Sequence, residues 1–183
     1  PRNNGSGGQV DAPEGVQIAE LNAAVASRLF QNVCLINNES VVWRFSHRGR
    51  GSATAFDLAS MLVGASTIVT VGTTNNGTYQ APVASLGTVN TPLPVSGNTT
   101  WINYSGQFIY TGVTGVSNIG FEALNGTTSG NLLDNIQVDL APFVEFTQAS
   151  SSTPESSSTN IPTLRVNGTV YTAFTVTVQI TGG

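Results

Sequence analysis

The chain has 183 residues, 39% of them apolar and only 9% charged, with six arginines, no lysine and a net charge of −4. That length can bury one good core with at most an appendage; the acidic balance argues against a nucleic-acid partner, which needs a basic footprint, and no apolar run approaches the length of a membrane span. Polarity comes from Thr, Ser, Asn and Gly, a surface of hydroxyls and amides that fits a secreted or cell-surface β-protein.

Residues 1–15 are rich in Gly, Asn and Pro and read as a loop or arm. Residues 16–21 read as a strand running into a turn over 22–26, although Ala23, Ala24, Ala26 and Leu29 would also suit a helix. Cys34 has no partner for an internal disulfide. Its apolar setting, Phe30-Gln31-Asn32-Val33-Cys34-Leu35-Ile36, predicts a buried, inert thiol. Residues 41–47 form the clearest strand. Val41, Trp43, Phe45 and His47 fall on one face, and Val42, Arg44, Ser46 and Arg48 on the other.

Strands are expected near 56–63, 67–73, 101–110, 117–123 and 132–140. Turn-rich pieces such as Thr74-Asn75-Asn76-Gly77 and Asn125-Gly126-Thr127-Thr128-Ser129-Gly130 separate them. Many short, evenly spaced strands with almost no helical period predict an all-β chain, with a jelly-roll β-sandwich over 16–141. Ala141-Pro142 marks the domain break, since proline interrupts a central ladder. Residues 142–183 then read as additional strands of an incomplete second sandwich. A strand starting near Val170 places Phe174, Val176, Val178 and Ile180 opposite Thr175, Thr177 and Gln179. So few strands cannot hold a core of their own. Those four apolar residues are therefore expected to be covered by a sheet not made from 143–183 alone, in a second copy or a longer parent chain.

The segment Arg44-Phe45-Ser46-His47-Arg48-Gly49-Arg50 holds half of the arginines and the single histidine. Guanidinium forks bind carboxylates and donate to sugar hydroxyls, so Arg44 and Arg48 are candidate ligand-binding residues. The alternative pairs these arginines with Glu20, Glu122 or Asp134 inside the sandwich. Trp101 and Tyr104, with Tyr79 and Tyr110, would make a sugar-stacking platform, or else fill the core. Asp134 lies among Leu132, Ile136 and Val138 on an alternating pattern. A carboxylate there demands an arginine or a cation, and a structural calcium shared with Glu20 is the cofactor to consider. No Gly-x-Ser-x-Gly elbow, nucleotide loop or Cys/His metal spacing occurs, so the chain reads as non-enzymatic.

The strings Ala19-Glu20-Leu21-Asn22-Ala23, Trp43-Arg44-Phe45-Ser46-His47-Arg48-Gly49-Arg50 and Gly130-Asn131-Leu132-Leu133-Asp134-Asn135-Ile136 follow one another in this order. Together they resemble a family of bacterial secreted modules with a galactose-binding-like jelly roll, over about residues 16–140. From Phe143 the chain is similar to the opening strands of a Calx-β-type domain, with Val144-Glu145-Phe146 before a Ser-rich tract. The resemblance implies a non-catalytic module of a secreted or cell-surface bacterial adhesin, with a glycan or surface protein as partner. The alternative is a structural subunit that assembles with other copies of itself, into a filament or larger surface protein, by sharing strands.

Overall fold

The computed structural model describes residues 2–3, 9–22, 24–125, 130–141, 143–148, 163–167 and 175–179. In chain order its strands are β1 (Arg2–Asn3), β2 (Gln9–Val10), β3 (Ala19–Glu20), β4 (Arg28–Leu35) and β5 (Ser40–Arg48). Then come β6 (Asp57–Val63), β7 (Ser66–Thr73), β8 (Val83–Ala84), β9 (Thr88–Val89) and β10 (Leu93–Val95). The last are β11 (Asn98–Ile109), β12 (Gly115–Ala123), β13 (Leu132–Leu140), β14 (Phe143–Phe146) and β15 (Leu164–Asn167). There is no helix among the described residues. The chain divides into two compact units, Pro1–Val138 and Asp139–Gly183.

The first unit is an all-β sandwich of jelly-roll-like character. One sheet runs β10-β11-β5-β13-β3, with β9 also paired to β11, and the other runs β4-β12-β6-β7-β8. The described registers are antiparallel. Consecutive strands repeatedly change sheet, so the core is closed by pairings distant in sequence. β5 shows why the two sheets face each other. Val41, Trp43, Phe45 and His47 are all buried, while Arg44 between them is exposed. Phe45 stacks on Trp43 and on Tyr104 at 5.6 Å and meets Phe121 of the opposite sheet edge-on at 4.8 Å. Such offset and edge contacts are the favoured aromatic geometries. Turn chemistry closes the hairpins as expected. Gly77, at φ +84°, ends the Thr74–Gly77 turn where a Cβ would lie 2.2 Å from the Thr99 carbonyl oxygen, a site only glycine fits.

Two expectations need correcting here. Residues 9–12 are not a free arm: Val10 is buried with Ile18, Trp101 and Leu132, and Ala12 packs against that cluster. Trp101 projects on the outer face of its sheet, and this N-terminal stretch is what buries it; its Nε1 donates to the Asp11 carbonyl at 3.0 Å. Cys34 is exposed, not buried. β4 is the outermost strand of its sheet, where every residue but Val33 and Leu35 is exposed. An apolar neighbourhood in sequence is no shield on a strand that has a sheet on one side only.

The second unit contains β14 and β15 as an antiparallel ribbon. Arg165 pairs with Glu145 across it, and the Thr147 and Thr163 hydroxyls meet at 2.9 Å. Phe146, Leu164 and Val166 are exposed, and among the described residues no second layer packs on the ribbon. β15 lies ahead of the strand expected from Val170; its four residues are too short for alternation to stand out. Residues 175–179 carry no strand, and Val176 and Val178 are exposed. Among the described residues no sheet covers those two side chains. Val170, Phe174 and Ile180 lie outside the described residues.

Candidate functional site

The three strings that carry the resemblance meet in space as a buried polar network. His47 projects inward from β5 and is fully buried. Its Nε2 lies 2.8 Å from Asn131 Oδ1, and its Nδ1 lies 2.8 Å from Thr73 Oγ1 on the opposite sheet. Asn131 Nδ2 donates to Asn22 Oδ1 at 2.8 Å, and Asn22 Nδ2 donates to the Asn125 carbonyl at 3.0 Å. Tyr104 Oη stands 2.9 Å from Thr73 Oγ1.

These contacts fix the direction of every proton. Because the Asn131 amide nitrogen is committed to Asn22, its oxygen must accept from His47 Nε2–H. Nδ1 of the neutral ring is then an acceptor, and takes the Thr73 hydroxyl proton. Thr73 in turn accepts from Tyr104, whose hydroxyl also lies 3.3 Å from the Gly72 carbonyl oxygen. The result is a one-way chain, Tyr104 to Thr73 to His47 to Asn131 to Asn22 to Asn125, that crosses from one sheet to the other. Burial holds the imidazole neutral by lowering its pKa from 6.5 to about 4, although the Asn131 bond and the Asp57 charge pull the other way. Burial likewise pushes the Tyr104 phenol up to about 12.

Thr73, His47 and Asn131 have the spacing of a nucleophile, base and orienting amide. All three are nonetheless fully enclosed, and a reacting carbonyl needs room beside the nucleophile. This arrangement therefore ties the two sheets together. Asn131 sits at φ +41°, a left-handed conformation that asparagine tolerates, and its own carbonyl accepts from Leu21 N at 3.1 Å. Alongside, Arg50 forms an ion pair with Glu20, and its backbone N donates to Asp57 Oδ2 at 2.7 Å. The pairing of a motif arginine with Glu20 is the structural alternative weighed from the sequence.

The remaining candidates separate. Tyr104 and Trp101 are fully buried, so neither offers a ring face to a sugar, and the stacking role is withdrawn for both. Asp134 is only half-buried and, among the described residues, pairs with no arginine. Its Oδ2 accepts from Glu14 N at 3.0 Å and its Oδ1 from Asn135 N at 2.8 Å. The alternation that put it on an apolar face breaks at Asn135, whose φ is +49°. Glu20 is engaged with Arg50, and among the described residues no group of three His, Cys, Asp or Glu could hold a metal ion. Asp134→Ala should cost about 1 kcal/mol in urea denaturation, the worth of an ordinary capping bond. A loss above about 3 kcal/mol would restore the buried ion pair.

Arg48 and Arg44 both lie on the outer face of β5. Arg48 is half-buried, which lowers its guanidinium pKa, and it donates through Nε and Nη2 to the Asn75 carbonyl at 3.0 and 2.8 Å. Arg44 is exposed and opposite Ser105 on β11. Around it the register assembles Ser46 with Asn103, and Gln107 with Thr88. Ser46 Oγ donates to Asn103 Oδ1 at 2.7 Å, and Asn90 Nδ2 to Ser105 Oγ at 3.0 Å. The sequence singled out Arg44 but missed these amides, because Asn103, Ser105 and Gln107 join it only through strand pairing. A separate pocket of about 290 Å³ opens among Val63, Ile68, Leu86, Phe108, Tyr110 and Ser117. No protein-family model, curated protein or solved structure matches this chain.

Proposed function

We propose that the first unit is a non-catalytic, galactose-binding-like module of a secreted or cell-surface bacterial adhesin. Its ligand is a glycan held on the outer face of β5 and β11. One observation carries this reading: Arg44 projects from a solvent-facing sheet amid exposed Asn103, Gln107 and Asn90, with no partner among the described residues. Amides, hydroxyls and one guanidinium at cross-strand spacing of about 5 Å suit the alternating hydroxyls of a sugar chain. The hydroxyl- and amide-rich composition and the three strings of the resemblance support the same class.

Glycan-array binding by the intact chain tests it. Arg44→Ala should lower affinity at least tenfold while changing stability by no more than about 0.5 kcal/mol, as expected for an exposed side chain. A blank array would overturn the reading.

A second reading is favoured by a different observation. Residues 175–179 alternate Thr and Val yet stand exposed on both faces. The protein is then a structural subunit that shares strands with its neighbours, for which light scattering should report concentration-dependent growth.

A further inference from the structure

Resting on the strand-sharing reading, we infer that the free edge of β4 is the acceptor, taking the segment around Val176 and Val178 of a second copy as an added strand. β4 is eight residues long and is paired along its whole length by β12. No strand lies on its other side among the described residues. Sheet edges of this length are ordinarily guarded by lysine, proline or an inward charge. β4, reading RLFQNVCL, has neither lysine nor proline. Its one charged residue, Arg28, is at the end and is tied to the Gly64 carbonyl and Asn118 Oδ1 at 2.6 and 2.7 Å.

The side chains of β4 also call for a neighbour. Phe30 is 60% exposed and Leu29 45%, on opposite faces of the strand, and Val116, paired with Cys34 on β12, is 78% exposed. A strand laid along this edge would thus gain apolar contacts on both faces in addition to backbone bonds.

The occupant follows from the chain itself. Thr175, Val176, Thr177, Val178 and Gln179 are all exposed and, among the described residues, unpaired with any strand. They are β-branched but for the glutamine, and carry no charge to oppose Arg28. Pairing β4 with the β4 of a second copy would satisfy the edge alone and leave this segment in water. Pairing the two features satisfies both. Donor and acceptor are different surfaces, so the contact is head-to-tail and propagates as an open row of copies rather than closing as a dimer. One added strand is a small interface, below ~1,200 Å², of the weak class, so growth belongs to high concentration or to a tethered surface.

Cys34, the single thiol, reports on this edge from within. In full-length protein, a bulky maleimide should label it rapidly when dilute and at least fivefold more slowly as light scattering rises. Val176→Lys with Val178→Lys, at positions already exposed, should leave the protein folded, monomeric and rapidly labelled at every concentration. With oxidised glutathione as the oxidant, Thr177→Cys should yield a disulfide between Cys34 of one copy and the introduced thiol of the next. A monomer at every concentration would overturn strand sharing altogether. Growth with unchanged Cys34 labelling and no such cross-link would overturn β4 as the acceptor while leaving strand sharing intact. A cross-link formed within one chain, or assembly that survives the double lysine variant, would overturn the tail of a second copy as the donor.

Discussion

His47→Leu should destabilise the protein by about 4 kcal/mol at pH 7.5, the largest effect expected of any single side chain in the network. The substitution strands the fully buried Asn131 amide oxygen and leaves the equally buried Thr73 hydroxyl with Tyr104 as its one side-chain partner among the described residues; a buried group left unpaired costs about 1–3 kcal/mol, and the smaller leucine leaves the site underpacked. Equilibrium urea unfolding measures this directly, and a loss below about 1 kcal/mol would mean that water or a rearrangement replaces the ring. The same residue sets a pH dependence. Its folded pKa is depressed to about 4 from 6.5, so between those values only the unfolded chain takes up the proton. Stability is therefore fully present above pH 6.5 and falls as pH drops toward 4, by about 1.4 kcal/mol per pH unit and about 3 kcal/mol in all. The chain has one histidine, so no other imidazole contributes to this slope. His47→Gln, less stable at neutral pH, should have a flatter profile from pH 6.5 to 5. Parallel profiles for the two proteins would show that His47 is protonated in the fold.

Gly49→Ala is expected to be nearly as damaging, at about 3 kcal/mol or more, by overpacking. A Cβ at this position would lie 2.2 Å from the Thr73 carbonyl oxygen and 2.9 Å from the Thr74 carbonyl carbon. Both are backbone atoms at the end of β7, so no rotamer change relieves the clash, and the two sheets must part where Thr73 reaches His47. Far-ultraviolet circular dichroism and thermal melting of the variant provide the measurement. A melting temperature within a degree or two of the parent would show that the β5–β6 connection yields instead. The glycine between Arg48 and Arg50 is thus explained by contact with a neighbouring strand.

What could be read from the sequence was local period, and what escaped it was pairing. β5 was legible because its inner residues and Arg44 alternate cleanly between core and solvent. The all-β sandwich followed from the strand spacing. Cys34 and Phe30 misled because an apolar run looks the same on a central strand and on the outermost one; only non-local pairing decides which it becomes. Trp101 misled for the opposite reason. It does project from the outer face, yet the segment ending at Ala12 covers it, a contact across some ninety positions of sequence that alternation does not encode. In the network, His47 was correctly turned inward by period. Asn22 and Asn131 were visible only as members of recurring strings, because asparagine near a turn ordinarily signals the turn itself. For Asp134, a single left-handed residue at Asn135 reset the period that the prediction assumed.

The course of β13 bears on how the protein would carry a load. Its first residues are pinned beside Asn131, it lies between β5 and β3 in the larger sheet, and its last two residues belong to the second unit. A pull applied beyond Leu140 therefore reaches the first unit through β13, whose partners on the β3 side among the described residues are Leu132 with Glu20 and Leu133 with Ala19. Ladder bonds loaded along the strand share the strain together, whereas a strand peeled from its end surrenders them one at a time. At its far end β13 begins next to the amide that receives the His47 proton, so the tension ends on the cross-sheet tie.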